Sequence, residues 1–117
     1  MEYIDNYALR SHRKRSGLIQ EDVAVLIGAR SPSQVSRQEN GEREPDLHAA
    51  LAYVIIYDAP IRHILPKLHR DIAQKVHARA EALAERLKES GDGLHVTHRV
   101  EHLRQMAGRI SLFELDV

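Results

Sequence analysis

The sequence predicts an all-α protein, and three observations predict it. Apolar residues recur at helical spacing in segment after segment. Helix-stopping residues separate those segments: Gly17, Gly28, Asn40-Gly41, Asp58-Ala59-Pro60 and Ser90-Gly91-Asp92-Gly93. Good starting residues stand where the next helix must open, with Pro32 behind Ser31 and Asp46 behind Pro45.

Each element follows from its residues. Tyr3 to Ser16 reads as a first helix with Ile4, Tyr7, Ala8 and Ser11 inward, and Arg10, Arg13 and Lys14 outward. Gly17 suits a left-handed cap. Gln20 to Ile27 forms a second helix facing the core through Val23, Ala24 and Ile27. Ser31 caps a third, with Gln34 completing a capping box three residues on. At its exit, Gly41 or Asn40 takes positive φ. A fourth helix starts at Pro45-Asp46, with Leu47, Ala50, Leu51, Val54 and Ile55 as its inner stripe. Ile61, Ile64 and Leu65 make a short fifth. Beyond Pro66 the texture changes. Leu68, Ile72, Val76, Ala80, Leu83 and Leu87 draw one stripe down a long amphipathic helix to Lys88. Val96, Val100, Leu103 and Ala107 draw a second, shorter one, so the two should form an antiparallel hairpin. An apolar tail closes the chain with Ile110, Leu112, Phe113, Leu115 and Val117. The expected division is residues 1–65 and a helical extension, 66–117.

A chain of 117 residues is one domain, or one small domain with an appendage. Its composition, 43% hydrophobic and 29% charged, is that of an ordinary soluble protein. It has no cysteine, which excludes disulfides and thiolate catalysis and fits a reducing, cytoplasmic setting. No signal core is expected at the acidic N-terminus, and the longest apolar run is too short to span a membrane. The net charge of zero argues mildly against nucleic acid. Distribution matters more, because an acidic face is screened across a Debye length of about 8–10 Å. Basic residues gather at positions 10–15 and again at 30, 37 and 43.

The third helix carries the chemistry. Val35 anchors it, Gln38 or Glu39 returns to the core, and Ser33, Gln34, Ser36 and Arg37 face outward near its start. Such a helix fits the major groove of double-stranded DNA, where Gln can pair with adenine and Arg with guanine. Gln20 opens the second helix, where free N–H groups and the helix dipole suit a phosphate. Asn40 and Arg43 suit phosphates on the other flank, with Arg10, Arg13 and Arg30 as further candidates. Other uses compete: Arg37 could pair with Glu39 or Glu42, and Gln20 could serve as a cap.

In the order Leu9-Arg10, Gly17-Leu18-Ile19-Gln20-Glu21, Ala24 to Gly28, and Gln34 to Pro45, the chain resembles the Cro/repressor (XRE-type) helix-turn-helix family. Together with the segment Pro60-Ile61-Arg62 and the long helix after Pro66, it resembles a small bacterial subgroup with a helical C-terminal extension. The resemblance implies a five-helix, lambda-repressor-like domain followed by a long helix and a shorter one. It also implies transcriptional regulation, as a repressor or autoregulator acting as a homodimer on a palindromic operator. Four positions depart from the family pattern. Ile19 replaces the usual Ser/Thr cap, at a cost of roughly 1 kcal/mol. The turn Gly28-Ala29-Arg30-Ser31 is one residue longer than the commonest form. Val25 and Leu26 are apolar where polar residues are usual. Asp58 stands in place of a glycine.

His98-Arg99-Val100-Glu101-His102 matches a zinc-protease pattern. A zinc site needs a third ligand and a substrate cleft, and few residues follow His102. The expectation is therefore no enzyme, no metal and no cofactor, with His98 and His102 on a solvated face. No small-molecule effector is evident. The competing reading is a protein-interaction module, antitoxin-like or an anti-activator, presenting Val25, Leu26 and the tail to a partner.

Overall fold

The computed structural model describes residues 7–91 and 93–110. Every element among them is a helix: α1 (Tyr7–Ser16), α2 (Gln20–Ile27), α3 (Pro32–Glu39), α4 (Leu47–Tyr57), α5 (Ile61–Ile64), α6 (Pro66–Ser90) and α7 (Leu94–Ile110). The chain divides into two compact units, residues 1–66 and 67–117.

In the first unit α1 packs on α3, α4 and α5, α2 packs on α3 and α4, and α4 packs on α5. Leu9, Val23, Ala24, Val35, Ala50, Tyr53 and Ile64 form its buried centre. Tight stops keep the helices short. Gly28 adopts φ 73°, and Ala29 N–H then reaches back to the Ala24 carbonyl at 2.8 Å. That is the pattern of a left-handed helix stop, and it needs a residue without a Cβ penalty. Gly41, at φ 78°, repeats it after α3, with Glu42 N–H donating to the Arg37 carbonyl at 2.9 Å. Asp58 takes the same conformation after α4, at φ 48° and ψ 49°, which a short polar side chain tolerates. Asp46 caps α4 by accepting from Ala49 N–H at 2.8 Å.

Several inner faces differ from expectation. Leu9 of α1 is fully buried, while Ser11 is exposed; residues 3–6 of the expected first helix and the side chain of Tyr7 lie outside what is described. Ser31 stands at the N-cap of α3 without a side-chain capping bond. Its hydroxyl pairs instead with the Ser33 hydroxyl at 2.7 Å, so the capping box with Gln34 does not form. At Ile19, half of a box replaces the missing cap, because Asp22 accepts from Ile19 N–H at 3.0 Å. The largest difference is in α4. Ala49, Ala50 and Tyr53 are its buried residues, whereas Leu47, Leu51 and Ile55 are exposed by 67%, 51% and 79%. This helix is apolar nearly all round, so periodicity could not single out its inner face.

In the second unit, α6 and α7 meet through Leu83, Ala84 and Leu87 on one side and Val96, Val100 and Leu103 on the other. The stripe of α7 is as expected. Along α6 the buried residues are Ala73, Ala80, Ala84 and Leu87, while Leu68 and Ile72 are about half exposed. Three of the four are small alanines, which a search for large apolar residues overlooks. Of the apolar tail, residues 111–117 lie outside the described residues. No helix among the described residues is long and apolar enough to cross a membrane.

Candidate nucleic-acid interface

The outward side of α3 follows from what α3 buries. Val35 is fully buried, and Gln38 and Glu39 follow it inward at 8% and 1% exposure. Because these three share a side, the opposite side must face out. Ser33 and Arg37 are exposed there, with Gln34 and Ser36 half-buried on the two flanks. Arg37 makes no ion pair among the described residues, so neither Glu39 nor Glu42 holds its guanidinium.

Glu39 is the hub that fixes the angle of α3. Arg13 from α1 grips its carboxylate with two bonds, Nε to Oε2 at 2.6 Å and Nη2 to Oε1 at 3.1 Å. Gln20, opening α2, donates a third to Oε1 at 3.1 Å. Three helices therefore converge on one carboxylate that is out of contact with water. The hydrogen bond to Glu39 raises the Arg13 pKa further above its ordinary value. Beside this hub, the Tyr53 hydroxyl donates to the buried Gln38 amide oxygen. Burial pushes the Tyr57 hydroxyl up to about 12, and the nearby Glu39 charge adds to that.

This geometry changes the task of three residues expected at phosphate. Arg13 is a partner of Glu39, with only 14% of its side chain exposed. The Gln20 amide donates inward, not outward. Arg10 donates to the Asn40 side-chain oxygen, tying the start of the chain to the exit of α3. Asn40 thus presents its remaining amide N–H groups with its carbonyl already occupied. Arg30 and Arg43 are exposed on either side of α3, one before its start and one after its exit turn. Arg43 lines a hollow with Gln34, Gln38, Glu44 and Asp46. The first turn of α2 carries Glu21 and Asp22, whose charges oppose a phosphate at that helix end.

Sequence reasoning placed Glu39 on the core side but did not find its partner. A signal was available. A carboxylate one turn beyond a buried Val35 needs a cation, and Arg13 is a basic residue on α1, the helix before α2. The residues that reach outward on α3 were legible because a helix of eight residues has only one side left after Val35 is anchored.

Residues 8–64 match the family model described as a helix-turn-helix domain. The chain carries a helix-turn-helix domain. Comparison with curated proteins and with solved structures gives no match. The matched segment holds α1 to α5, and α6 and α7 follow as a helical extension.

His98 and His102 are exposed on α7, as the sequence suggests. No group of three or more potential ligands gathers to hold a metal among the described residues.

Proposed function

We propose that this protein is a sequence-specific DNA-binding transcriptional regulator, a repressor or autoregulator, and not an enzyme. One observation carries the reading: Ser33 and Arg37 project outward from a recognition helix whose opposite side is locked to α1 and α2 through Glu39. A locked helix delivers side chains to base edges in a fixed register. Arg37 is the chief base reader, with Ser33, Gln34 and Ser36 beside it. Arg30 and Arg43 carry the phosphate contacts, with Asn40 as a lesser contributor. A single module makes few base contacts, so the chain acts as a homodimer on a palindromic operator. The half-exposed Leu68 and Ile72 on α6 support pairing through the extension. The absence of cysteine from the chain supports a cytoplasmic setting.

Genome-wide footprinting followed by binding assays on the recovered site tests the proposal. Arg37→Ala is expected to weaken specific binding by about 1–3 kcal/mol and to relax preference at one base position. Operator binding as tight as the parent's would remove Arg37 from that role.

A second reading has its own observation. Val25, Leu26, Leu47, Leu51 and Ile55 are exposed apolar side chains on α2 and α4. A protein-interaction module, antitoxin-like or an anti-activator, would present such residues to a partner. Salt-dependent retention on DNA separates the two, since phosphate binding weakens steeply with salt and apolar docking does not.

A further inference from the structure

Two histidines from distant parts of the chain meet in the first unit, and neither the DNA-reading surface nor the core requires them. His12 of α1 and His63 of α5 face each other with Nε2 and Nδ1 3.4 Å apart. Their ring planes are inclined to each other by 27°, with centroids at 5.6 Å. On its face His12 stacks on Tyr57 of α4, 5.5 Å away and inclined by 14°. On its other edge, Arg15 Nη2 stands 3.2 Å from His12 Nδ1.

Those partners determine the protons. Arginine has only donors. His12 Nδ1 must therefore accept from Arg15, which leaves the His12 proton on Nε2. That proton is donated to His63 Nδ1, so the His63 proton sits on its own Nε2. The result is a one-way chain, Arg15 to His12 to His63, that requires both imidazoles to be neutral. A second proton on His12 can enter only at Nδ1, where it meets the Arg15 donor.

We propose that the His12–His63 pair is a pH-operated clasp between α1 and α5, closed when both rings are neutral and released when His12 takes a second proton. None of the described groups around it supplies a counter-charge to a new cation. From α1 come Arg15, aimed at the pair, and Arg13, already held by Glu39. From α4 comes Tyr57, whose hydroxyl stays neutral throughout the physiological range. From α3 comes the Glu39 carboxylate, balanced by Arg13 and Gln20. From α5, exposed Arg62 precedes His63. No carboxylate pairs with either ring among the described residues. The direction of the His12 shift agrees: burial first, then Arg15 and His63, lower its pKa from 6.5.

The sign follows from linkage. A histidine that is harder to protonate when folded binds fewer protons in the folded state, so stability rises with pH. The contribution is full above about pH 6.5 and is lost as pH falls below that value towards the folded pKa. Because α1 also supplies Arg13 to the recognition helix, loosening α1 reaches the DNA-reading surface without touching it.

The full chain suits the test. NMR should show both rings protonated at Nε2 at neutral pH, and His12 titrating below 6.5. Thermal unfolding should then compare the parent with His12→Gln/His63→Gln between pH 7.5 and 5.5. Glutamine keeps a donor and an acceptor but does not titrate. The parent is expected to lose roughly 2–4 °C more than the double variant on acidification. The other six histidines remain in both proteins and cancel in the comparison. Equal losses, an Nδ1-protonated His12, or a His12 pKa at or above 6.5 would each overturn the clasp. If the double variant does not fold, the NMR tautomers and titration of the parent still decide it.

Discussion

Removing the Glu39 carboxylate should be among the most damaging single changes in the first unit. Glu39 is 1% exposed and Arg13 is 14% exposed, and two charge-assisted bonds join them. Glu39→Ala leaves the Arg13 guanidinium facing a gap and the Gln20 amide without its acceptor. Breaking a buried pair in this way costs about 3–5 kcal/mol. Partial access of Arg13 to water puts the expected loss near the lower end, roughly 3 kcal/mol. A unit of this size has a total stability of only about 3–10 kcal/mol, so a large part of it would go. Urea unfolding followed by circular dichroism measures the loss directly. The double variant Arg13→Met/Glu39→Met supplies the control. Replacing both charges with apolar groups of similar length should recover much of what the single change removes. A loss under about 1 kcal/mol for Glu39→Ala would refute the hub, as would a double variant no more stable than the single one.

Further outcomes follow from other residues. Arg43→Ala should weaken binding to all DNA sequences alike and reduce the salt slope by about 1, read from binding constants over a salt series; a changed sequence preference would make Arg43 a base reader. Asp46→Ala removes the bond to Ala49 N–H and should cost about 1 kcal/mol in urea unfolding. Ile72→Asp places a charge on the open side of α6 and should shift the full chain from dimer to monomer in sedimentation. A parent that is monomeric at high micromolar concentration would remove the pairing proposal.

The helix order, the stops at Gly17, Gly28, Gly41 and Asp58 and the outward side of α3 were legible in the sequence. Each rests on local chemistry: a φ that few residues tolerate, or a period that leaves one side free. What the sequence hid was long-range. Arg10 with Asn40, Arg13 with Glu39 and His12 with His63 join residues 30, 26 and 51 positions apart. A basic cluster at 10–15 looks the same in sequence whether its members reach phosphate or turn inward. Here the inner and outer roles alternate along one helix: Arg13 faces Glu39 while Lys14 and Arg15 stay exposed.

The α4 result has the same origin in a different guise. Periodicity identifies an inner face only when the outer face is polar. In α4 the polar residues are too few to mark it, and the decision passes to size and shape. Ala49 and Ala50 allow close approach to the neighbouring helices, while Tyr53 fills the space between them and sends its hydroxyl to Gln38. Leu47, Leu51 and Ile55 are then left outside, although they are the more hydrophobic set. Burying them instead would turn Tyr53 outward and leave the Gln38 oxygen inside without its donor, a loss of about 1–3 kcal/mol on that account alone. The inner face of α4 is therefore chosen by a polar bond to the recognition helix as well as by apolar area. The same bond helps hold the register in which Arg37 points out.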